Sequence, residues 1–364
     1  MKKTVLVLGA SGVVGFSALE QFLKEGCNVI TVSRRAPETD AVGGSFRHIS
    51  VDLRDEQASR EVFSQLSEVT HVVYAALFEK AGLIAGWSEQ DQMDTNLQMM
   101  RNLMEPLCEV AKSLKHVTAL QGTKAYGIHL HPMAIPAKEN APRDDHPNFY
   151  WLQEDYIRKK SAEYGFDFTI LRPQLIIGAP YGVAMNLAPV IGAYAALCHE
   201  RGEPFGFPGG PPYVWEAVDA RLVAKVVSWA GEADAANGQH FNVTNGDVFE
   251  WRNLWPCIAD VMGVEIGPDA PRSVAKFMEE NESSWQSVVK KHALKNVGLK
   301  ELLGESHYYA DFCFAYGADA PPPPAFVSTI KLRQSGFTEV MDTEETFNYW
   351  VSDLIDRDLL PRLG

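Results

Sequence analysis

Tyr156 and Lys160 stand at i and i+4 in the run Tyr156-Ile157-Arg158-Lys159-Lys160. On a helix this spacing puts a phenol and an ammonium on one face. The ammonium lowers the phenol's pKa, so the pair can give a proton to a carbonyl oxygen near neutrality. A second phenol, Tyr150, has Glu154 at its i+4 position, the wrong charge for that purpose. Another cation, Lys124, follows the apolar run His116–Gln121. A lysine just past the C-terminal end of a parallel strand lies in the ligand crevice.

Two further groups of residues point to a dinucleotide. In Gly9-Ala10-Ser11-Gly12-Val13-Val14-Gly15, Gly9 permits a tight turn and Gly12 lets the backbone approach a pyrophosphate. Gly15 lets helix and strand pack closely. The helix that follows offers unpaired N–H groups to the phosphate charge. The next apolar run, Asn28–Val32, ends in Ser33-Arg34-Arg35. An acid there would accept hydrogen bonds from a ribose 2′-hydroxyl, whereas two guanidiniums grip a 2′-phosphate. The expected cofactor is NADP(H).

The elements that position these groups follow from hydrophobic period. Up to about residue 175, short apolar runs alternate with amphipathic stretches, as in βαβ units with a parallel sheet. The strand candidates are Thr4–Leu8, Asn28–Val32, Phe46–Val51, His71–Ala75, His116–Gln121 and Asp167–Leu171. The helical stretches are Val13–Lys24, Glu56–Gln65, Asp91–Ser113 and Tyr150–Tyr164. Asp91–Ser113 carries a stripe of Met93, Leu97, Met100, Leu103, Met104, Leu107 and Val110, which reads as core or dimer packing.

Beyond Arg172-Pro173 the chain is richer in Gly, Pro and aromatics. Gly206–Pro212 reads as a loop and Pro321–Pro324 as an extended linker. The expected fold class is α/β, a Rossmann-type doubly wound parallel sheet with a smaller C-terminal substrate lobe. Residues 1–177, with 213–245 returning to them, would form the NADP-binding domain; 178–212 and 246–364 would form mainly the lobe.

A net charge of −14 over 364 residues speaks against nucleic-acid and anionic-membrane partners. Cys27, Cys108, Cys198, Cys257 and Cys313 show no metal or disulfide spacing. No metal is expected, and buried thiols fit a reducing, cytoplasmic setting. The apolar run Val5–Leu8 is too short for a signal peptide, and no stretch is long enough for a membrane span.

The Gly-x-x-Gly-x-x-Gly spacing resembles that of short-chain dehydrogenases/reductases. In that superfamily the helix carrying the catalytic Tyr crosses the sheet before the strand that here ends at Arg172-Pro173. Starting from Tyr156 leaves room for only about two helical turns plus that strand, whereas starting from Tyr150 suits a full crossover. Tyr156 is therefore read as a decoy and Lys159-Lys160 as a solvated face. Aligning on Tyr126-Gly127 puts Gly122 at the usual catalytic Ser, with Lys124 two residues on. Asp52-Leu53 follows the third strand, where the superfamily uses an acid to meet the adenine amino group.

This pair of departures, in Gln121-Gly122-Thr123-Lys124-Ala125-Tyr126-Gly127 and Asn148-Phe149-Tyr150-Trp151-Leu152-Gln153-Glu154-Asp155, looks like the progesterone 5β-reductase/iridoid synthase family. The resemblance extends through Ser33-Arg34-Arg35, Leu171-Arg172-Pro173 and Lys331-Leu332-Arg333-Gln334-Ser335-Gly336-Phe337, essentially the whole chain. Trp151 departs from it where many relatives have a second Tyr.

The resemblance implies NADPH-dependent reduction of activated C=C bonds in small apolar enones or enals, with Tyr150 and Lys124 catalytic. Tyr150 would stabilise the enolate oxygen; Lys124 would hold the phenol's electrostatics. Cofactor contacts would come from Gly9, Ser11, Gly12, Val13 and Gly15, then Ser33, Arg34, Arg35, Asp52 and Leu53. The strand ends would add Ala75, Ala76, Gln121, Lys124, Tyr150, Pro173 and Ile176. Phe149, Phe312 and Phe314 are the substrate-pocket candidates, with the loops Gly178–Asn186 and Gly206–Pro212 as walls or lids. A homodimer is compatible with the pattern. The alternatives are a carbonyl reductase, a nucleotide-sugar epimerase or dehydratase, and a non-catalytic NADP-sensing regulator.

Overall fold

The computed structural model describes residues 2–38, 45–80 and 83–364 of the chain. In chain order its first strands are β1 (Thr4–Leu8), β2 (Asn28–Val32), β3 (Phe46–Ile49), β4 (His71–Tyr74), β5 (His116–Leu120) and β6 (Asp167–Pro173). The short β7 (Ile176–Ile177), β8 (Val214–Trp215) and β9 (Val218–Asp219) come next, then β10 (Gln239–Val243) and the short β11 (Phe249–Glu250). The central sheet has seven strands in the order β10-β6-β5-β4-β1-β2-β3, and every pairing in it is parallel. Residues of β1 are buried on both faces, as a parallel sheet covered by helices requires.

Helices α1 (Val13–Lys24), α2 (Glu56–Phe63), α3 (Gln90–Val110), α4 (Phe149–Tyr164) and α6 (Ala220–Ala230) cover both faces, while α5 (Leu187–Glu200) packs on the C-terminal helices. On one face α1 packs on α6, and on the other α3 packs between α2 and α4. Because β1 pairs with β2 on one side and β4 on the other, the winding reverses there. A crevice opens at the C-terminal ends of strands at such a switch point.

The strand β10 is absent from the sequence candidates. Gln239, His240 and Asn242 interrupt its apolar pattern. Asn242 is nevertheless fully buried, because its amide donates to the carbonyls of Ala137 and Ser328 while its oxygen accepts from Tyr126. Along α3, Met93, Met100, Leu103, Met104 and Leu107 are buried within the chain, so the stripe needs no second subunit to cover it.

The remaining helices are α7 (Trp251–Met262), α8 (Val274–Glu280), α9 (Glu282–Lys291), α10 (Leu299–Leu303), α11 (Ser306–Cys313), α12 (Ile330–Gln334) and α13 (Thr343–Asp356). A core of Trp251, Trp255, Trp285, Trp350, Phe314 and Phe347 joins α5 to this C-terminal part. Residues 178–186, 206–212 and 321–324 have no helix or strand. Among the described residues no helix is long and apolar enough to cross a membrane.

Candidate active site

The phosphate loop leaves β1 through Gly9 at φ +77°, and a Cβ there would stand 2.6 Å from the Ala75 carbonyl oxygen. A Cβ at Gly15 would come within 2.2 Å of the Gly9 oxygen. Both positions therefore require glycine on steric grounds alone. Gly12 caps α1 with extended backbone; no side chain caps the helix, and its first turn holds no acid. Free N–H groups and an unneutralised helix N-terminus suit a pyrophosphate. Ser11 lines a cleft with Arg35, Tyr181 and Arg357.

At the end of β2, buried Ser33 donates to the Arg35 carbonyl at 2.6 Å, and Arg34 and Arg35 are exposed. Both carboxylate oxygens of Asp52 accept from Arg54, and this pairing holds Asp52 down at about 2. Arg54 also lies over the Phe78 ring at 5.3 Å. The charge assigned to adenine recognition thus already has a guanidinium partner, which the sequence reading left out. Leu53 is buried, and its carbonyl accepts from Asn102.

Tyr150 is placed by the start of α4. Asn148 caps the helix by accepting from the Tyr150 N–H at 3.0 Å. A Cβ at Gly122 would stand 3.3 Å from the Tyr150 hydroxyl and 3.7 Å from the Pro173 carbonyl oxygen. The missing Ser side chain therefore lets the phenol approach the strand end closely, where a Cβ would crowd it. Phe149 packs edge-to-face on Tyr150 at 4.6 Å and is itself buried. Its neighbours are Met93 and Ala125, so it serves as packing under the phenol.

Lys124 lies in the 3-10 turn Thr123–Tyr126 just past β5. Its ammonium is 3.7 Å from Glu79 Oε1 and 4.1 Å from the centre of the Trp87 ring. Burial pulls the Lys124 pKa down, and Glu79 partly offsets this. Burial pushes the Tyr150 phenol well up, Glu79 adds to the rise, and Arg172 works against it. The sequence reading expected an ammonium lowering this phenol; in the fold the one cation acting on it among the described residues is Arg172, desolvation outweighs that guanidinium, and the hydroxyl keeps its proton.

Glu154 is kept out of this balance. Its buried carboxylate meets Arg143, Arg158 and His240, at 3.0, 2.9 and 3.0 Å. Although burial opposes its ionisation, His240 and Arg143 hold it well below the carboxylate range. Gln121 belongs to the same network: its amide donates to Glu154 and to the Tyr150 carbonyl, and its oxygen accepts from Arg172. The sequence reading made it a cofactor contact; its side chain instead fixes α4 to β6.

A family model described as the NAD dependent epimerase/dehydratase family matches residues 5–244. A 3-oxo-Delta(4,5)-steroid 5-beta-reductase of Arabidopsis thaliana is 30% identical, over 96% of this chain and 91% of its own. An (S)-8-oxocitronellyl enol synthase of Catharanthus roseus is 27% identical, over 99% of this chain and 93% of its own. The chain belongs to this family of extended short-chain dehydrogenases/reductases. A UDP-glucose 4-epimerase from Bifidobacterium longum, solved with NAD+ and UDP, superposes with a TM-score of 0.68. It is 16% identical, with 98% of this chain and 99% of the other covered, which is likeness of fold.

Counted from Tyr150, the chain departs from the Tyr-x-x-x-Lys arrangement at the lysine position, which Glu154 occupies. Tyr156 lies beside Arg101, Glu105 and Lys160 on the α3 side of α4, so that formal match is a packing pair. At the strand ends, Ala75 and Ala76 face Gly9, Pro173 faces Gly122, and Gly178 would press a Cβ against Val13. Ile176 is half-buried in β7.

Phe312 is 44% exposed, edge-on to Trp87 and stacked on Tyr309. Phe314 is a correction. It is 1% exposed and held by Phe207, Trp251 and Trp255, so it is core and faces no ligand. The two phenylalanines part because α11 ends between them, at Cys313. Glu79, Trp87, His129 and Tyr309 are the residues sequence reasoning missed. Glu79 alone carried a usable signal, a carboxylate a few residues beyond the end of a parallel strand.

Proposed function

We propose that the protein is an NADPH-dependent reductase of activated C=C bonds in small apolar enones and enals. The observation carrying this reading is the Tyr150 hydroxyl, kept protonated by burial, standing against Gly122 at the end of β5, where the usual Ser side chain would crowd it. NADPH, when bound, supplies hydride to the β-carbon of the acceptor. Ser11, Gly12 and the α1 N-terminus would hold its pyrophosphate, and Arg34 and Arg35 its 2′-phosphate.

As the β-carbon gains hydride, negative charge develops on the carbonyl oxygen. A carbonyl oxygen held beside Gly122 would lie within hydrogen-bond reach of Tyr150. A phenol of raised pKa donates to it without losing its proton, and the bond strengthens as the enolate forms. The α-carbon then takes a proton from water, leaving hydroxide to solvent and completing the saturated carbonyl. Lys124 adds positive charge in the same crevice. Phe312, Tyr309 and Trp87 offer an aromatic wall suited to an apolar substrate. The near-full-length likeness to proteins named as a steroid 5-beta-reductase and an enol synthase supports the reading. Unpaired cysteines fit a cytoplasmic site of action.

The test is NADPH oxidation with 2-cyclohexenone and 8-oxogeranial, with product identification. The saturated carbonyl is expected; an allylic alcohol would make the enzyme a carbonyl reductase. Tyr150→Phe and Lys124→Met should each lower kcat/KM, by about a hundredfold for the lost hydroxyl. Arg34→Ala should reduce the preference for NADPH over NADH.

A further inference from the structure

Glu79 plays no part in the reading above, yet it is the charged group nearest to Lys124. Its side chain is 5% exposed and follows β4 by a few residues. One oxygen accepts from Gln92 on α3 at 2.7 Å. The other, Oε1, is buried without a hydrogen-bond partner among the described residues and faces the Lys124 ammonium at 3.7 Å. The ammonium in turn sits over the Trp87 ring at 4.1 Å. Trp87 Nε1 and His129 Nδ1 are also buried without partners among the described residues, and the two rings meet edge-to-face at 6.3 Å.

A lysine buried with no counter-charge loses its proton to escape the cost of desolvation. A carboxylate at ion-pair distance offsets part of that tendency, and an aromatic face adds attraction for the charged form alone. We propose that Glu79 is a positioning residue for Lys124, holding its ammonium charged and fixed against Trp87 in the strand-end crevice. The proposal rests on the assignment of Lys124 to the reaction site. It gives the carboxylate a role that a lysine carried on the tyrosine's own helix would not require.

The groups facing this pair are Gln92 from α3, Trp87 from the 3-10 turn Leu83–Ser88, and His129. Tyr150 from α4 and, beyond it, Arg172 from β6 complete the set. Burial and the neighbouring cations hold His129 down at about 4, so it is neutral near pH 7. Glu79 is then the one anion acting on Lys124 among the described residues.

The experiment reads Lys124 directly, without cofactor or substrate. The wild-type protein, Glu79→Gln and Glu79→Asp are acetylated with limiting acetic anhydride across pH 6–10, and Lys124 is quantified by mass spectrometry. Removing the charge should move the Lys124 reactivity midpoint to lower pH by about one unit, giving about tenfold more acetylation below the midpoint. Aspartate, one methylene shorter, should fall between. The alkaline limb of the kcat profile should move in the same direction. A midpoint unchanged in the glutamine variant would overturn the proposal. If that variant does not fold, an unchanged midpoint in Glu79→Asp would do the same. A shifted midpoint in a protein that reduces no enone would leave the pairing standing and refute the proposed function instead.

Discussion

At Gly122 the lack of a side chain is what leaves the Tyr150 hydroxyl uncrowded. A methyl group would sit 3.3 Å from the Tyr150 hydroxyl, in the space proposed for the substrate oxygen. Gly122→Ala should therefore fold with a melting temperature near that of the wild type and lower kcat/KM for an enone by about tenfold or more, measured by steady-state kinetics. A second residue-scale expectation concerns Glu216. Burial pushes its carboxyl up to about 7 although it accepts from Gln174 and the Val327 N–H. A raised carboxyl pKa contributes stability that is complete below the unfolded value, near 4.5, and is lost as pH rises through about 7. Glu216→Gln should thus raise the melting temperature relative to wild type at pH 8 and change it little at pH 4, as calorimetry would show.

Among the elements, α4 does the most to place the chemistry. Its first turn carries Tyr150, its cap is Asn148, and its buried Glu154 is tied to Arg143, Arg158 and His240. Asn148→Ala removes the cap bond at the turn that orients the phenol. The expected cost is about 1 kcal/mol of stability in denaturant titrations, with a fall in kcat larger than that in NADPH affinity. The helix expected over Tyr150–Tyr164 is present, running from Phe149 to Tyr164. The pairing of Lys124 was not legible in this way. Its partner sits after β4, on a different strand, and only the parallel pairing of β4 with β5 brings the two ends together.

Across the whole molecule, the C-terminal core decides which aromatic residues are buried and which stay exposed. Phe314→Ala should destabilise the protein by about 3–5 kcal/mol, the usual cost of emptying a packed aromatic site. Phe312→Ala should instead change KM for apolar acceptors with little loss of stability. Paired thermal and kinetic measurements on the two variants check the contrast. Hydrophobic period and glycine spacing are local properties, and they were enough to identify the β1–Gly-rich loop–α1 unit and the alternation of strands and helices. These depend on backbone geometry within one or two elements. What surrounds Lys124, how far the phenol is desolvated, and the separation of Phe312 from Phe314 depend on segments distant along the chain. Desolvation and charge pairing are set by the atoms around a group in space, so only the packed tertiary structure decided them.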